Sequence, residues 1–352
     1  MNAPVLPDWL AAVPRLTLGH LPTPLEPLDR LSAELGGPRI WIKRDDCTGL
    51  ATGGNKTRKL EYLLADARAA GATDILTFGA VQSNHARQTA AACARVGLPC
   101  HLILTEQVAW KHRHYSSGGN VLMDRLFGAE VHIVPVADAA DVTQQLTERL
   151  TASGSHPYLI PAGGSNAVGA IGYVRCAVEL ANDFARLGIR PRHVVHASSS
   201  AGTQAGLLYG FARLDSHVSG VLDSHVPATR REAPVSVLGI NVYHERPAEL
   251  ARRVQRIAEG LATRLGAADL PAPAITDRYR GRGYGIPTPA GVDAIRMLAR
   301  LEGLIFDPVY SGKAVAALID LVSVGQFSGE DDVVLIHTGG TASLAVYDNA
   351  FD

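Results

Sequence analysis

Short β-rich runs alternate with longer alanine-rich stretches of helical period from about residue 39 to residue 345, and this alternation constrains the fold more than any other feature. RIWIKRD reads as a strand, KTRKLEYLLADARAAG as a helix ending at Gly71, DILTFGA as a strand, SNHARQTAAACARVG as a helix ending at Gly97, and CHLILTE as the next strand. NVLMDRLFGA, EVHIVPV and DVTQQLTERLTASG continue the series as helix, strand and helix. A second series runs through YLIPAGG, VGAIGYVRCAVELANDFARLG, HVVHASS, TQAGLLYGFARL, VSVLGINVY and DVVLIHTGG. Strands joined by helices form βαβ units, whose parallel sheets carry helices on both faces. With 352 residues the chain is long for one compact unit and comfortable for two. The expectation is two three-layer α/β domains with mostly parallel twisted sheets, and sites in such folds lie at the carboxyl ends of strands.

Composition limits what such a fold does. Hydrophobic residues make up 47% and charged residues 19%, enough for large cores and unlike a disordered chain. A formal net charge of −1 argues against nucleic acid or an anionic membrane as partner and leaves a small molecule. Cys47, Cys93, Cys100 and Cys176 form no C-x-x-C pair, so neither a zinc site nor a disulfide framework is expected and reduced cytoplasmic thiols are the default. The opening MNAPVLPDWLAAVPRL does not read as a signal peptide, and no apolar run approaches the ~20 residues of a membrane span. A soluble, cytoplasmic protein without a metal is the expectation.

Four strand ends carry unusual polar chemistry. Thr52-Gly53-Gly54-Asn55 leads into a helix whose first turn holds Lys56, Arg58 and Lys59. Glycines admit close backbone approach, and a helix start favours an anion, so basic residues there oppose the dipole. Such a conflict tends to mark function, although solvated basic helix starts are common. Gln82-Ser83-Asn84-His85 follows DILTFGA; Ser83 or Asn84 reads either as an N-cap or as a donor to a substrate carboxylate. Ser198 to Gly206, reading SSSAGTQAG, offers hydroxyls and free N–H groups before a helix, as a phosphate cradle does. It lacks G-x-x-x-x-G-K-[ST], and no G-x-G-x-x-G follows the first strand, so a monophosphate fits better than ATP or a dinucleotide. Tyr284 in GYGIP, Tyr310 in DPVYSGKA and His337-Thr338-Gly339-Gly340 would each pass as packing or loop residues alone. LDSHV occurs at 214–218 and again at 222–226, which reads as a duplication in a surface loop, not as a metal site from His217 and His225.

Taken together, these segments resemble a known family. LPTPLEPLDRLS (residues 21–32), WIKRDDCTGLATGGNKTRKLEYL, QSNHARQTAA, PAGGSNAVGAIGYV, SAGTQAGL, GYGIP, DPVYSGKA and HTGG span nearly the whole chain in order. They resemble the pyridoxal-phosphate (PLP) enzymes of the tryptophan synthase β-like fold, in the branch containing D-cysteine desulfhydrase, L-cysteate sulfo-lyase and 1-aminocyclopropane-1-carboxylate (ACC) deaminase. The resemblance implies a large domain of residues 1–56 and 167–352, a small domain of 57–166, and a homodimer. It implies that Lys56 forms the Schiff base with PLP, that Lys59 and Ser200, Ala201, Gly202 and Thr203 hold its phosphate, and that Asn84 meets its phenolic oxygen. Asn55, Ser311 and Thr338 fall beside the cofactor in the same comparison. Ser83, Asn84, His85, Gly164 and Tyr284 fall at the substrate, a small amino acid, with Lys56, Ser83, Tyr284 and Tyr310 in catalytic positions. Nearby cationic charge from Arg58 and Lys59 is expected to ease loss of the Lys56 proton.

Two positions refine that reading. In the deaminase branch an acidic residue follows the tyrosine of DPVY and pairs with the pyridine nitrogen; here Ser311 stands there, as a small hydroxyl residue does in the other two. A neutral partner weakens the ring as an electron sink, which suits loss of a good β-leaving group better than ring opening. Ser199 replaces a usual glycine, and would cost about 1 kcal/mol if the backbone there needs positive φ. A carbon–sulfur lyase giving pyruvate and ammonia follows, with D-cysteine desulfhydration ranked first, cysteate desulfonation second and ACC deamination third. A non-catalytic PLP-binding protein is the reading from a different class. A sulfonate would want a cationic subsite; Lys111-His112-Arg113-His114 is expected to be solvated surface charge instead.

Overall fold

The alternating elements sort into two sheets in a computed structural model that describes residues 5–221 and 235–352, with side chains except those of 216–221. Ten strands are β1 (Leu25–Pro27), β2 (Arg39–Lys43), β3 (Asp74–Ala80), β4 (Cys100–Thr105), β5 (Glu130–Val134), β6 (Pro157–Ile160), β7 (Pro191–Ser198), β8 (Ser236–Asn241), β9 (Ala274–Thr276) and β10 (Asp332–Ile336). The helices are α1 (Asp8–Ala11), α2 (Asp29–Leu35), α3 (Lys56–Ala69), α4 (Asn84–Val96), α5 (Gly119–Leu126), α6 (Ala139–Ala152), α7 (Ala167–Leu187), α8 (Gly202–Val221), α9 (Pro247–Leu265), α10 (Pro289–Glu302) and α11 (Ser311–Ser323).

One sheet has six strands in the order β1-β2-β10-β7-β8-β9, the other four in the order β5-β4-β3-β6. Every pairing is parallel except β1 with β2. All five residues of the DVVLI strand β10 are buried, as a central strand covered on both faces requires. The helix after QSNH begins and ends where the sequence says it should. Ser83 caps α4 by accepting from the Ala86 N–H at 3.1 Å, and Gly97 closes that helix in the left-handed region at φ 74°.

Close helix packing carries the start of α3 toward the gap between the sheets. A Cβ on Gly172 would lie 2.2 Å from the carbonyl oxygen of Arg58, so only glycine lets α7 seat against the first turn of α3. Gly206 does the same between α8 and α7, where a Cβ would come within 2.4 Å of Ala170 O. The main apolar core therefore joins α3, α4, α7, α8 and α9, and includes Leu60, Leu63, Ala90, Ile171, Val174, Leu208, Leu250 and Val254.

Two features differ from expectation. The first LDSHV copy does not lie in a loop but continues α8 to Val221, for LDSHVSGV contains no proline to stop it. The second copy, with His225, lies outside the described residues, as does the side chain of His217. The strand–helix alternation also does not disclose the order of elements over 244–331, where α9, β9, α10 and α11 lie. Among the described residues no helix is long and apolar enough to cross a membrane.

Candidate active site

The site is a cleft between the carboxyl ends of β3 in the small sheet and β7, β8 and β10 in the large one. Its walls include Asn55, Lys56, Ser83, Asn84, His85, Ser200, Ala201, Thr203, Tyr284, Tyr310 and Thr338. Six separate stretches of chain bring these expected positions to one cavity, while Lys59, Gly164, Gly202 and Ser311 stand behind that surface.

The GGNK segment is held from across the cleft. Gln88 of α4 accepts from the main-chain N–H groups of Lys56 and Thr57 at 3.1 and 3.0 Å, filling the cap that Asn55 does not supply. Gly54, at φ 128°, leaves room for that amide; a Cβ would fall 2.7 Å from Gln88 Nε2. Lys56 Nζ donates to Asn55 Oδ1 at 2.7 Å, and Asn55 Nδ2 donates to Thr203 Oγ1 at 3.1 Å. The Lys56 amine is lowered to about 8, first by burial and then by the charge of Arg87, with Asp307 opposing. Arg58 is not the source. It is fully buried, bonds Asp45 at 2.9 and 2.8 Å and pairs with Glu179 at 2.9 Å, so a residue read as an unexplained basic helix start belongs to a structural ion network.

Lys59 has a different character. Its Nζ donates to Gly163 O at 3.1 Å and Ser165 Oγ at 3.0 Å, both neutral, although the side chain is fully buried. Ser165 in turn donates to Ser200 Oγ at 2.7 Å and accepts from the Gly202 N–H at 3.3 Å, at the start of α8. Burial and then the neighbouring Lys56 push the Lys59 amine well below its ordinary value. A buried ammonium with only neutral partners, at a helix N-terminus ringed by hydroxyls, is built for an anion. A Cβ at Gly202 would intrude to 3.0 Å from Lys59 Nζ and 2.7 Å from Ser165 Oγ. Positive φ falls on Ala201, at 76°, and not on Ser199, whose serine is therefore unstrained.

Asn84 is oriented from behind. Its Oδ1 accepts from Asn120 Nδ2 at 3.1 Å and from Arg87 at 3.3 Å, which leaves its NH2 group to donate elsewhere. Arg87 is fully buried and also bonds Asn120 Oδ1 at 3.0 Å and Gly53 O at 2.9 Å. The acid beside it, Asp124 of α5, is buried, has no hydrogen-bond partner among the described residues, and is raised by burial to about 8. That burial favours its protonated form, and the Arg87 charge opposes it.

Ser83 serves both readings, capping α4 while lining the cleft. His85 does not offer a free N–H. Thr77 Oγ1 donates to Ile160 O at 2.8 Å, so it accepts from His85 Nε2 at 2.8 Å, and His85 Nδ1 faces Thr89. Burial, then Lys56 and Lys59, holds this imidazole well below its ordinary range. Gly164 sits against Leu63, His85 and Lys59, while its neighbours Ala162 and Gly163 line the cleft. The Tyr284 and Tyr310 hydroxyls bond each other, and burial raises both. Ser311 Oγ donates to Asp307 Oδ2 at 2.5 Å and accepts from the Asp307 N–H at 2.9 Å. Lys111, His112 and Arg113 line a separate surface pocket. Sequence reading misses Arg87, Gln88, Ser165, Asp307 and the cleft residues Gln107, Tyr243, His244 and Arg253. Signals exist for Arg87 and Gln88, polar residues in the alanine-rich helix after QSNH, and for Ser165 and Asp307, which stand in PAGGSN and DPVYSG.

The pyridoxal-phosphate dependent enzyme family matches this chain over residues 16–339. The chain belongs to that family. It is 43% identical over 345 residues to a D-cysteine desulfhydrase of Serratia proteamaculans (strain 568), covering 97% of this chain and 98% of that protein. A D-cysteine desulfhydrase of Yersinia enterocolitica is 45% identical over 343 residues, covering 96% and 97%. Among solved structures, an ACC deaminase homologue superposes with a TM-score of 0.83 at 33% identity and covers 97% of each chain. A threonine deaminase, at 20% identity and TM-score 0.60, covers 90% of this chain and 92% of its own, and shows the shared fold. The protein is thus a PLP-dependent enzyme of tryptophan synthase β-like fold, acting on a small molecule. Lys56, the buried Lys59 and the glycine-floored cradle fit that cofactor's aldehyde and phosphate in kind and charge.

Proposed function

We propose that this chain is a PLP-dependent carbon–sulfur lyase that takes D-cysteine and water to pyruvate, ammonia and sulfide. The observation that carries the reading is identity of 43 and 45% to D-cysteine desulfhydrases along nearly the whole length of each chain. Lys56 would carry the cofactor, Lys59 with Ser200 to Thr203 would hold its phosphate, and Asn55, Asn84, Ser311 and Thr338 would flank it. Bound there, PLP supplies an electron-withdrawing ring that accepts density from the substrate's α carbon.

The chain's own groups supply the rest. With its amine lowered to about 8, Lys56 can release and take up a proton near neutral pH, as removal of an α-proton requires. Ser83, at the α4 N-terminus, and the outward NH2 group of Asn84 offer donors for a carboxylate. Of the two tyrosine protons, one is held in the Tyr284–Tyr310 bond and the other is left for a departing sulfur; burial keeps both phenols protonated. His85 and Gly164 act as packing behind the substrate.

The division into a large domain of residues 1–56 and 167–352 and a small domain of 57–166 belongs to the same proposal, supported by strands of each sheet coming from one side of it. So do a cytoplasmic location, supported by four cysteines without disulfides, and a homodimer, supported by Leu122 and Leu126 of α5 at 51% and 73% exposure. L-Cysteate desulfonation ranks second, because Lys111, His112 and Arg113 of the basic run open onto a different pocket. The test is pyruvate release from D-cysteine, L-cysteine, L-cysteate, β-chloro-D-alanine and ACC in parallel, with Lys56→Ala as control. D-Cysteine should be turned over best and Lys56→Ala should lose the visible cofactor band. Turnover of ACC alone would sink the assignment.

A further inference from the structure

Among the described residues, one group of potential metal donors stands apart from the cleft: His101, Glu130 and His132, whose ligand atoms all lie within 4.8 Å of one another. The sheet itself assembles them. His101 near the start of β4 is in register with Glu130, the first residue of β5, and His132 follows two residues later on the same face. His101 Nδ1 stands 2.7 Å from Glu130 Oε2, and His132 Nε2 stands 3.1 Å from Glu130 Oε1. That second nitrogen is shut off from solvent, yet its contact is not aligned as a hydrogen bond. Behind the cluster, Asp74 of β3 faces His101 Nε2 at 3.2 Å, and its other oxygen accepts from Thr73 Oγ1 at 2.7 Å. Arg149 of α6 bonds Glu130 Oε1 at 2.9 Å.

We propose that His101 Nδ1, His132 Nε2 and a Glu130 oxygen form a binding site for a divalent transition-metal ion, zinc foremost, at the edge of the small sheet. Two imidazoles and one carboxylate are the donor set that zinc, cobalt and nickel favour over calcium or magnesium. Donors around a tetrahedral zinc at 2.0–2.1 Å lie about 3.3 Å apart, between the shortest and longest separations here, so side-chain rotation closes the sphere. Asp74 stands where a carboxylate commonly fixes the tautomer and orientation of a metal-bound histidine. The ion takes the place of the hydrogen in the His101–Glu130 contact and leaves the fourth position to water; Arg149 remains on Glu130. Since the group lies at the amino ends of its strands, most of the length of β4, roughly 15 Å, separates it from the cleft, and its role is to tie the edge strand β5 to β4.

The experiment titrates zinc chloride, without substrate, into the PLP-loaded enzyme and into its His132→Ala and Glu130→Gln variants, by calorimetry and thermal denaturation. One ion per chain should bind and raise the melting temperature of the parent, with affinity reduced at least tenfold in both variants and D-cysteine turnover without added metal unchanged. Asp74→Asn should weaken binding about 10- to 100-fold. Cobalt in place of zinc should give visible ligand-field bands without thiolate charge-transfer absorption, which separates this site from the exposed Cys47. Absence of stoichiometric binding, or binding that survives both variants and is lost in Cys47→Ser, would overturn the proposal.

Discussion

Asp124 is the group whose replacement most sharply separates a buried charge from a buried acid. Its carboxyl is fully enclosed, makes no hydrogen bond among the described residues, and is raised from 3.8 to about 8 by burial, with Arg87 and Arg125 opposing. Between those two values the unfolded chain has released its proton and the folded protein retains it, so stability falls as pH rises. Each pH unit in that window costs about 1.4 kcal/mol, or roughly 4 kcal/mol in all at pH 7. Asp124→Asn removes this dependence but buries an amide without partners, a constant cost of about 1–3 kcal/mol. The slope is therefore the decisive quantity. Urea midpoints of parent and variant from pH 5 to pH 8 should diverge, with the variant gaining on the parent as pH rises. A constant difference, or a variant that loses ground with rising pH, would show that Asp124 is ionised and neutralises Arg87, which would then not be a free cation behind Asn84.

Three further outcomes follow from the cleft. With its amine lowered to about 8, Lys56 should take up PLP into the cofactor-free enzyme at a rate that climbs through pH 8 and then levels; a rise only near pH 10 would mean an ordinary lysine. Ala201→Gly should stabilise the protein by about 1 kcal/mol in urea unfolding, since only the alanine is strained at φ 76°; a loss would place the cost elsewhere. Gly202→Ala should weaken PLP binding at least about tenfold in an absorbance titration, because its Cβ enters the cradle at 3.0 Å from Lys59 Nζ and 2.7 Å from Ser165 Oγ; unchanged affinity would place the phosphate elsewhere.

What the sequence discloses is local. GGNK, QSNH and SAGTQAG each place glycine, amide or hydroxyl groups between a strand and a helix, so their position at one end of a sheet follows from chain order alone. Partners brought together by folding stay hidden. Arg58 looks like a misplaced helix charge because Asp45 and Glu179, which balance it, lie 13 and 121 residues away. Strain expected at Ser199 falls two residues on, at Ala201, because a run of small residues does not reveal which one turns. Nothing in PAGGSN reveals that Gly164 packs against Leu63 and His85, or in QSNH that the N–H of His85 is taken by Thr77.

The strand β10 lies inside the large sheet, between β2 and β7, which precede it in the chain. A ribosome releases residues in order, so the small sheet, whose strands end at Ile160, is available for assembly long before β10 emerges. Until then β2 and β7 have no partner between them, and Thr338 and Gly339, which follow β10, have not joined the cleft. The anion cradle at residues 200–203 is thus synthesised before the wall at Thr338 and Gly339, and the cleft can close only once residues 332–339 have emerged.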